Sequence, residues 1–172
     1  MRKKVLVRGP ILTRSGYGEH ARFVVRALRS REDLFDIYVL PVGWGQTGWI
    51  ANNDEERAWL DRKVAKTALA MNKKEQFDMS IQVTIPNEWE MLAPINIGVT
   101  AGIETTKVAP IWLERTNLMD KVITISEHSK EGFIKTVFEG QDKQTGAPMT
   151  LRCNTPVEIV NYPVKSYDNL PE

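Results

Sequence analysis

The chain has 172 residues, of which 42% are hydrophobic and 26% are charged, and its formal net charge at pH 7 is +1. This length suits one domain with a single core, and the near-zero charge gives no reason to expect a nucleic-acid partner. No apolar run approaches the roughly 20 residues that span a bilayer. Only three apolar residues follow the basic N-terminus, too few for a secretory signal, so we expect a cytoplasmic location.

Metal-binding and redox residues are scarce. The one cysteine, Cys153, excludes an internal disulfide and a cysteine-based metal cluster, and we expect it to be a half-buried strand residue. The two histidines, His20 and His128, do not make a metal site without nearby carboxylates, so no metal is predicted.

The first predicted elements are a strand, a glycine-bearing loop and a helix. Residues 4–12 contain an apolar run typical of a central parallel strand that is buried on both faces. A helix follows residues 13–20, with apolar side chains at i, i+3, i+4 and i+7 from Ala21. A loop in this place offers backbone N–H groups and a positive dipole end to phosphate or sugar oxygens. Its candidate residues are Ser15, Gly16, Tyr17 and Gly18.

Residues 16–21 also fit G-x-G-x-x-A, the pattern of dinucleotide-binding domains. Two features argue against that interpretation: the glycines follow the strand by several residues, and no acid ends the second strand, residues 36–41. Asp36 lies at the wrong end of that strand to hold a ribose. A loop that only turns the chain remains a further alternative.

Residues 43–53 form a glycine-rich loop that carries Trp44 and Trp49. These rings can stack on sugars or cap the core. A helix is then predicted from Asn53 to about Met71, with Glu56 in capping-box spacing. A strand over residues 77–85 follows, and the polar segment 87–92 is a candidate for the rim of a cleft.

Residues 95–138 predict, in order, a strand, a loop, a helix, a strand and a helix. The rest of the chain is organised around this segment. Pro110 suits the first helical position, and Ser126 suits an N-cap. Two parallel strands joined by a helix form a right-handed crossover. Ligands of such sheets bind beyond the carboxyl ends of the strands, here residues 100–106 and 126–129.

The remaining residues predict a β-hairpin insertion near 136–152, around a glycine-containing turn, and a last strand over 157–160. Strands and helices alternate throughout, which predicts an α/β fold: a Rossmann-like three-layer sandwich with a mostly parallel sheet of about six strands. Residues 1–164 form this domain. Residues 165–172 are a tail or the start of an interdomain linker.

This pattern resembles the N-terminal, acceptor-side domain of retaining GT-B glycosyltransferases, in particular the family 4-like group. The resemblance is carried by residues 104–106, Trp112, Asp120, 122–126, 129–130, Phe133 and 157–164. It implies that the donor, a nucleotide sugar, binds mostly to a second domain of on the order of 150 residues. The chain is then expected to bind no cofactor itself and to be inactive without that domain or a partner chain.

The resemblance and the strand ends together nominate site residues. Glu104 is the candidate catalytic residue, as a weak general base, although it could equally be a surface ion-pair partner. Ser126 could serve only as an N-cap, and His128 could be a solvated surface residue. The candidate substrate-binding residues are Ser15, Gly16, Tyr17, Gly18, Thr100, Thr105, Ser126, Glu127 and His128, with Trp44 and Trp49 as possible sugar-stacking rings.

The sequence thus favours binding of a carbohydrate or other hydroxyl acceptor. The alternatives are a noncatalytic α/β interaction module and a nucleotide-binding enzyme domain. A large apolar face where a second domain docks would favour the first interpretation over the module. A row of arginines, Arg22, Arg26 and Arg29, could touch a membrane surface, but a solvated helix face is the favoured interpretation.

Overall fold

The computed structural model of the protein describes residues 2–141 and 145–164, so the predicted tail or linker lies outside the described residues. The elements, in chain order, are β1 Lys3–Gly9, α1 Gly16–Arg29, β2 Phe35–Pro41, α2 Glu55–Asn72, β3 Met79–Val83, a 3-10 turn at Pro86–Glu88, β4 Ile95–Val99, α3 Pro110–Thr116, β5 Lys121–Thr124, α4 Glu127–Lys135, β6 Val137–Gln141, β7 Pro148–Arg152 and β8 Val157–Ile159.

Six strands form one parallel sheet in the order β2-β1-β3-β4-β5-β8. The chain therefore moves toward one edge from β1 to β2 and then steps toward the other edge. The reversal lies between β1 and β3, which is where ligands bind in open α/β sheets. The predicted α/β sandwich is confirmed.

The direction of each crossover decides which face of the sheet its helix covers, because these connections are right-handed. On the first face, α1 packs on Val5, Val7 and Ile37. On the opposite face, α3 and α4 enclose a second cluster centred on Leu113 and Phe133. We call these the α1 face and the α3–α4 face.

The helix starts agree with the sequence in two places and differ in two. Pro110 opens α3, and Ser126 caps α4 by accepting a hydrogen bond from the Ser129 N–H at 3.1 Å. Ser15 caps α1, which begins at Gly16, so residues 16–20 are helical and do not belong to the predicted loop. The α2 cap is Asp54, not Asn53, and it accepts from the Arg57 N–H.

The polar segment predicted at 87–92 contains a core anchor. Trp89 is fully buried against Gly98, where an added Cβ would lie 2.6 Å from the indole ring. This glycine is therefore required on β4. The prediction of a cleft rim at this position was wrong for the tryptophan, because a large aromatic side chain between polar neighbours leaves no periodic signal.

The predicted hairpin is present as the antiparallel pair β6–β7, a separate two-stranded sheet. Phe138 and Leu151 attach its base to the core of the α3–α4 face. Cys153 is half-buried as expected, but it follows β7 instead of lying in a strand. Burial raises the pKa of its thiol. Among the described helices, none has both the length and the apolar character to cross a membrane.

Candidate functional site

The carboxyl ends of the six parallel strands meet at one edge of the sheet, which we call the carboxyl edge. Loops that follow β1, β2, β4 and β5 form this edge, and all the residues nominated from the sequence lie in these loops or in the first turns of α1 and α4. Parallel strands thus bring together residues that are more than 100 positions apart in the chain, such as Ser15 and His128.

The first turn of α1 is held by its own side chains. The Ser15 hydroxyl accepts a hydrogen bond from the Gly18 N–H at 2.9 Å. An added Cβ on Gly18 would lie 2.3 Å from the Thr13 carbonyl oxygen, so this glycine allows the loop to pack on the helix. Gly16 is exposed and has open space beside it. Of the two glycines, only Gly16 therefore leaves room for a ligand.

Tyr17 connects the start of α1 to the loop that follows β4. Its hydroxyl lies 2.8 Å from the Thr100 hydroxyl and accepts a hydrogen bond from the Ala101 N–H at 3.3 Å. Burial raises the pKa of the Tyr17 phenol, which therefore stays protonated at neutral pH. Thr100 is fully buried. Its hydroxyl consequently positions Tyr17 and is not presented to solvent.

The two tryptophans of the glycine-rich loop have different environments. The Trp44 ring packs on Tyr17, with 4.7 Å between ring centroids. Trp49 pairs through its backbone with Thr13 but keeps 56% of its surface exposed. An exposed indole offers a flat apolar face with a polar N–H at its rim. Trp49 is therefore the better placed of the two for stacking on a sugar.

The loop after β4 is fitted to the first turn of α4. Gly102 has a φ of +85°, and an added Cβ would lie 2.4 Å from the Ser129 hydroxyl oxygen. That hydroxyl donates to the Ala101 carbonyl at 2.9 Å and accepts from the Ser126 hydroxyl at 3.1 Å. The His128 ring Nε2 lies 3.2 Å from the Glu104 carbonyl oxygen, to which it donates. These contacts fix the loop against the helix.

The side chains at the tip of this loop face solvent. Glu104, Thr105, Glu127 and His128 are all exposed. The Thr105 hydroxyl donates to the Lys107 carbonyl at 2.7 Å. Within residues 2–141 and 145–164, the Glu104 carboxylate forms no ion pair, so it has no salt-bridge partner there and is available to a ligand hydroxyl.

The arginine row of α1 is not a free cationic surface. Arg22 is buried, and its Nη1 donates to the carbonyl oxygens of Ile11 and Thr13 at 2.7 and 3.0 Å. Arg26 is bound by Glu19 and Glu56. Arg22 therefore pins the loop between β1 and α1, which the spacing alone, typical of a solvated face, did not indicate.

Within the described residues, no group of three His, Cys, Asp or Glu side chains is arranged to hold a metal ion. Sequence reasoning also missed the role of Gly102. A glycine soon after a strand end is a general turn signal, and only the packing of Ser129 shows why a side chain is excluded there.

No protein-family model, curated protein or solved structure matches the chain. The geometry of the carboxyl edge is therefore the basis on which a function can be proposed.

Proposed function

We propose that the chain is the acceptor-binding half of a retaining, nucleotide-sugar-dependent glycosyltransferase. One observation carries the proposal: at the carboxyl edge, the exposed Trp49 lies on the loop whose Trp44 packs on Tyr17, and Tyr17 joins this side to the loop that presents Glu104. An exposed aromatic ring and exposed hydroxyl and carboxylate groups at the same sheet edge suit a carbohydrate, which has both apolar ring faces and many hydroxyls.

In this proposal the chain's own residues bind and orient the acceptor. The Trp49 ring stacks on a sugar face, and Glu104 and Thr105 hydrogen-bond its hydroxyls. The acceptor oxygen then forms a bond to the anomeric carbon of the donor sugar while the bond from that carbon to the nucleotide diphosphate breaks. The proton of the acceptor hydroxyl leaves to the diphosphate or to Glu104. The donor is held mostly by a second domain.

A noncatalytic interaction module is the second candidate. The apolar groove on the α1 face, described below, fits both candidates, because an apolar face can dock either the donor domain of a glycosyltransferase or the partner of a module. A dinucleotide site receives less support. Gly16 and Gly18 lie inside the first turn of α1, seven and nine residues beyond the end of β1, and Gly18 is packed against the Thr13 carbonyl. The tight turn that brings backbone to a pyrophosphate is not formed by these residues.

The experiment is a titration of the protein with simple glycosides and, separately, with UDP-, GDP- and ADP-sugars, followed by tryptophan fluorescence and calorimetry. Glycosides are expected to bind with millimolar or tighter affinity and nucleotide sugars weakly or not at all. Replacing the exposed ring, Trp49→Ala, is expected to weaken glycoside binding about five- to 150-fold, since a ring stacked on a ligand contributes on the order of 1–3 kcal/mol.

Leu69→Ala is the matched control because Leu69 is similarly exposed, at 63%, but lies on α2 away from the carboxyl edge. This variant should bind glycosides like the wild type. Tight nucleotide binding that survives Trp49→Ala would instead support the dinucleotide interpretation. The absence of binding to both ligand classes would leave the interaction module as the better proposal.

A further inference from the structure

A wide apolar groove lies on the α1 face and reaches the carboxyl edge at His20, whose ring centroid lies 6.5 Å from that of Tyr17. Its volume is about 1020 Å³. The floor consists of Ile81, Val99 and Ile123 from three adjacent strands, one wall is α1, and the other is the segment that leaves β8, residues 160–164. Val160 and Val164 are 57% and 88% exposed at this wall.

The topology explains why the described chain leaves this face open. Every step from β3 to β8 moves toward the same edge, so each right-handed crossover lies on the α3–α4 face. The reversed step from β1 to β2 places α1 on the first face, and α2 adds Trp59 and Leu60 to the same core cluster. Parallel sheets are normally covered on both faces, and here Ile97 of β4 and Ile123 of β5 are only partly buried on the α1 face, although Val99 is buried.

The groove has the dimensions of a helix. Its floor runs from β3 to β5, a distance of roughly 10 Å at the usual strand spacing, and a helix with side chains is about 10–12 Å wide. Val24, Ala27 and Leu28 of α1 form the wall against which a neighbouring helix would pack. Helices packed on one sheet face lie about this far apart.

The lining of the groove is apolar and electrically balanced. Its two charged side chains, Glu19 and Arg26, neutralise each other at 3.0 Å. His20 is buried beside the Tyr162 ring, and burial lowers its pKa to about 4, so it is uncharged at neutral pH. A complementary surface is therefore aliphatic and carries no charge.

The residues that follow Val164 are poor candidates to fill this space. Residues 165–172 contain only two large apolar side chains, Tyr167 and Leu170, among polar and charged neighbours. We infer that the groove receives an amphipathic helix of a second protein domain, whose uncharged aliphatic stripe completes the missing layer over β4 and β5. This inference does not depend on glycosyl transfer.

The test supplies such a helix in tethered form. A helix of about 18 residues with a leucine stripe at i, i+3, i+4 and i+7, and equal numbers of Glu and Lys, is fused after Glu172 through a Gly/Ser linker of about 20 residues. Tethering gives the helix a millimolar effective concentration. We expect the methyl resonances of Val99 and Ile123 to shift, and the fluorescence of a dye that binds apolar surface to fall at least two-fold.

Two controls make the result specific. A fusion of identical composition but scrambled order should change neither readout. Ala27→Glu places a charge on the groove wall and should abolish the shifts, whereas Ala65→Glu on the exposed surface of α2 should not. Both sites are exposed helical alanines, so neither change should prevent folding.

Three results would overturn the inference. The first is equal methyl shifts for the striped and scrambled helices. The second is a dimer of the wild-type chain that Ala27→Glu dissociates, which would make a second copy the occupant. The third is binding to neutral phosphatidylcholine vesicles that Ala27→Glu abolishes, which would make the occupant a lipid surface. Because Ala27 and Trp49 lie in different places, failure here leaves the glycoside result unaffected.

Discussion

Single residues in this protein act mainly by allowing close approach. Gly102 has a backbone conformation that side chains disfavour, and it lies under the Ser129 hydroxyl, where a Cβ would collide at 2.4 Å. Tyr17 and Thr100 then join the two halves of the carboxyl edge through a pair of hydroxyls. The site is thus shaped by packing between loops, and the side chains that could meet a ligand are supported by ones that do not.

Gly102→Ala tests this account at one position. We expect the free energy of unfolding to fall by at least about 1–2 kcal/mol from the positive φ alone, with a further loss from the contact with Ser129, as measured by urea unfolding. Gly16→Ala is the matched control, since it has open space and helical backbone. That variant should be neutral or more stable, by up to about 1 kcal/mol. Equal stability of the two variants would contradict the role given to Gly102.

At the scale of elements, α2 packs along the unpaired edge of β2, the outer strand of the sheet. An edge strand exposes unpaired N–H groups that invite pairing with other chains. Here the Thr67 hydroxyl of α2 accepts a hydrogen bond from the Val39 N–H of β2 at 2.7 Å and donates to the Lys63 carbonyl. Lys66 adds a contact with Asp36 and lies over the Tyr38 ring. The helix therefore closes this edge.

Thr67→Val tests whether the hydrogen bond from the Val39 N–H to the Thr67 hydroxyl protects the outer edge of β2. The substitution keeps the shape of the side chain but leaves the buried Val39 N–H without its acceptor, so we expect a loss of about 1–3 kcal/mol in unfolding free energy. Hydrogen exchange of the Val39 amide should also accelerate. Thr67→Ser retains the hydroxyl and should restore the slow exchange. If the Val39 amide exchanges as slowly in the Thr67→Val variant as in the wild type, this hydrogen bond does not protect the edge.

At the scale of the whole molecule, one parallel sheet carries the fold and the β6–β7 hairpin stands outside it. Continuity of the main sheet comes from β5 pairing directly with β8, across the hairpin insertion. Among the described residues of the hairpin, only Phe138 and Leu151 at its base pack against the core. Helices α3 and α4 enclose a core cluster on the α3–α4 face, whereas the groove lies on the α1 face.

Removal of the outer hairpin should therefore leave the sheet intact. Replacing residues 139–150 by Asn-Gly keeps the paired Phe138 and Leu151 and supplies a tight hairpin turn. We expect the unfolding free energy to change by no more than about 1 kcal/mol, equivalent to a few degrees in Tm. Phe138→Ala, in contrast, should cost about 1.5–3 kcal/mol. A much larger loss in the shortened chain would mean that the outer hairpin belongs to the core.

The sequence was sufficient wherever the signal is local. Short β-branched runs gave the strands, Pro110 and Ser126 marked helix starts, and a glycine-containing turn between two runs marked the hairpin, because these features depend on neighbours in the chain. Alternating strands and helices also predicted that the nominated residues would collect at one edge. That follows from parallel pairing, whatever the order of the strands.

The tertiary structure alone decided what depends on contacts between distant segments. Thr100 is a support for Tyr17, Arg22 holds a loop, and Trp89 fills the core against Gly98, and none of these roles has a local pattern. The open groove is also a tertiary property, since it arises from strand order and crossover handedness. By itself, the sequence determined the elements and the edge at which they converge. Packing decided which side chains remain free to bind, because burial is fixed by residues that are neighbours in space and not in the chain.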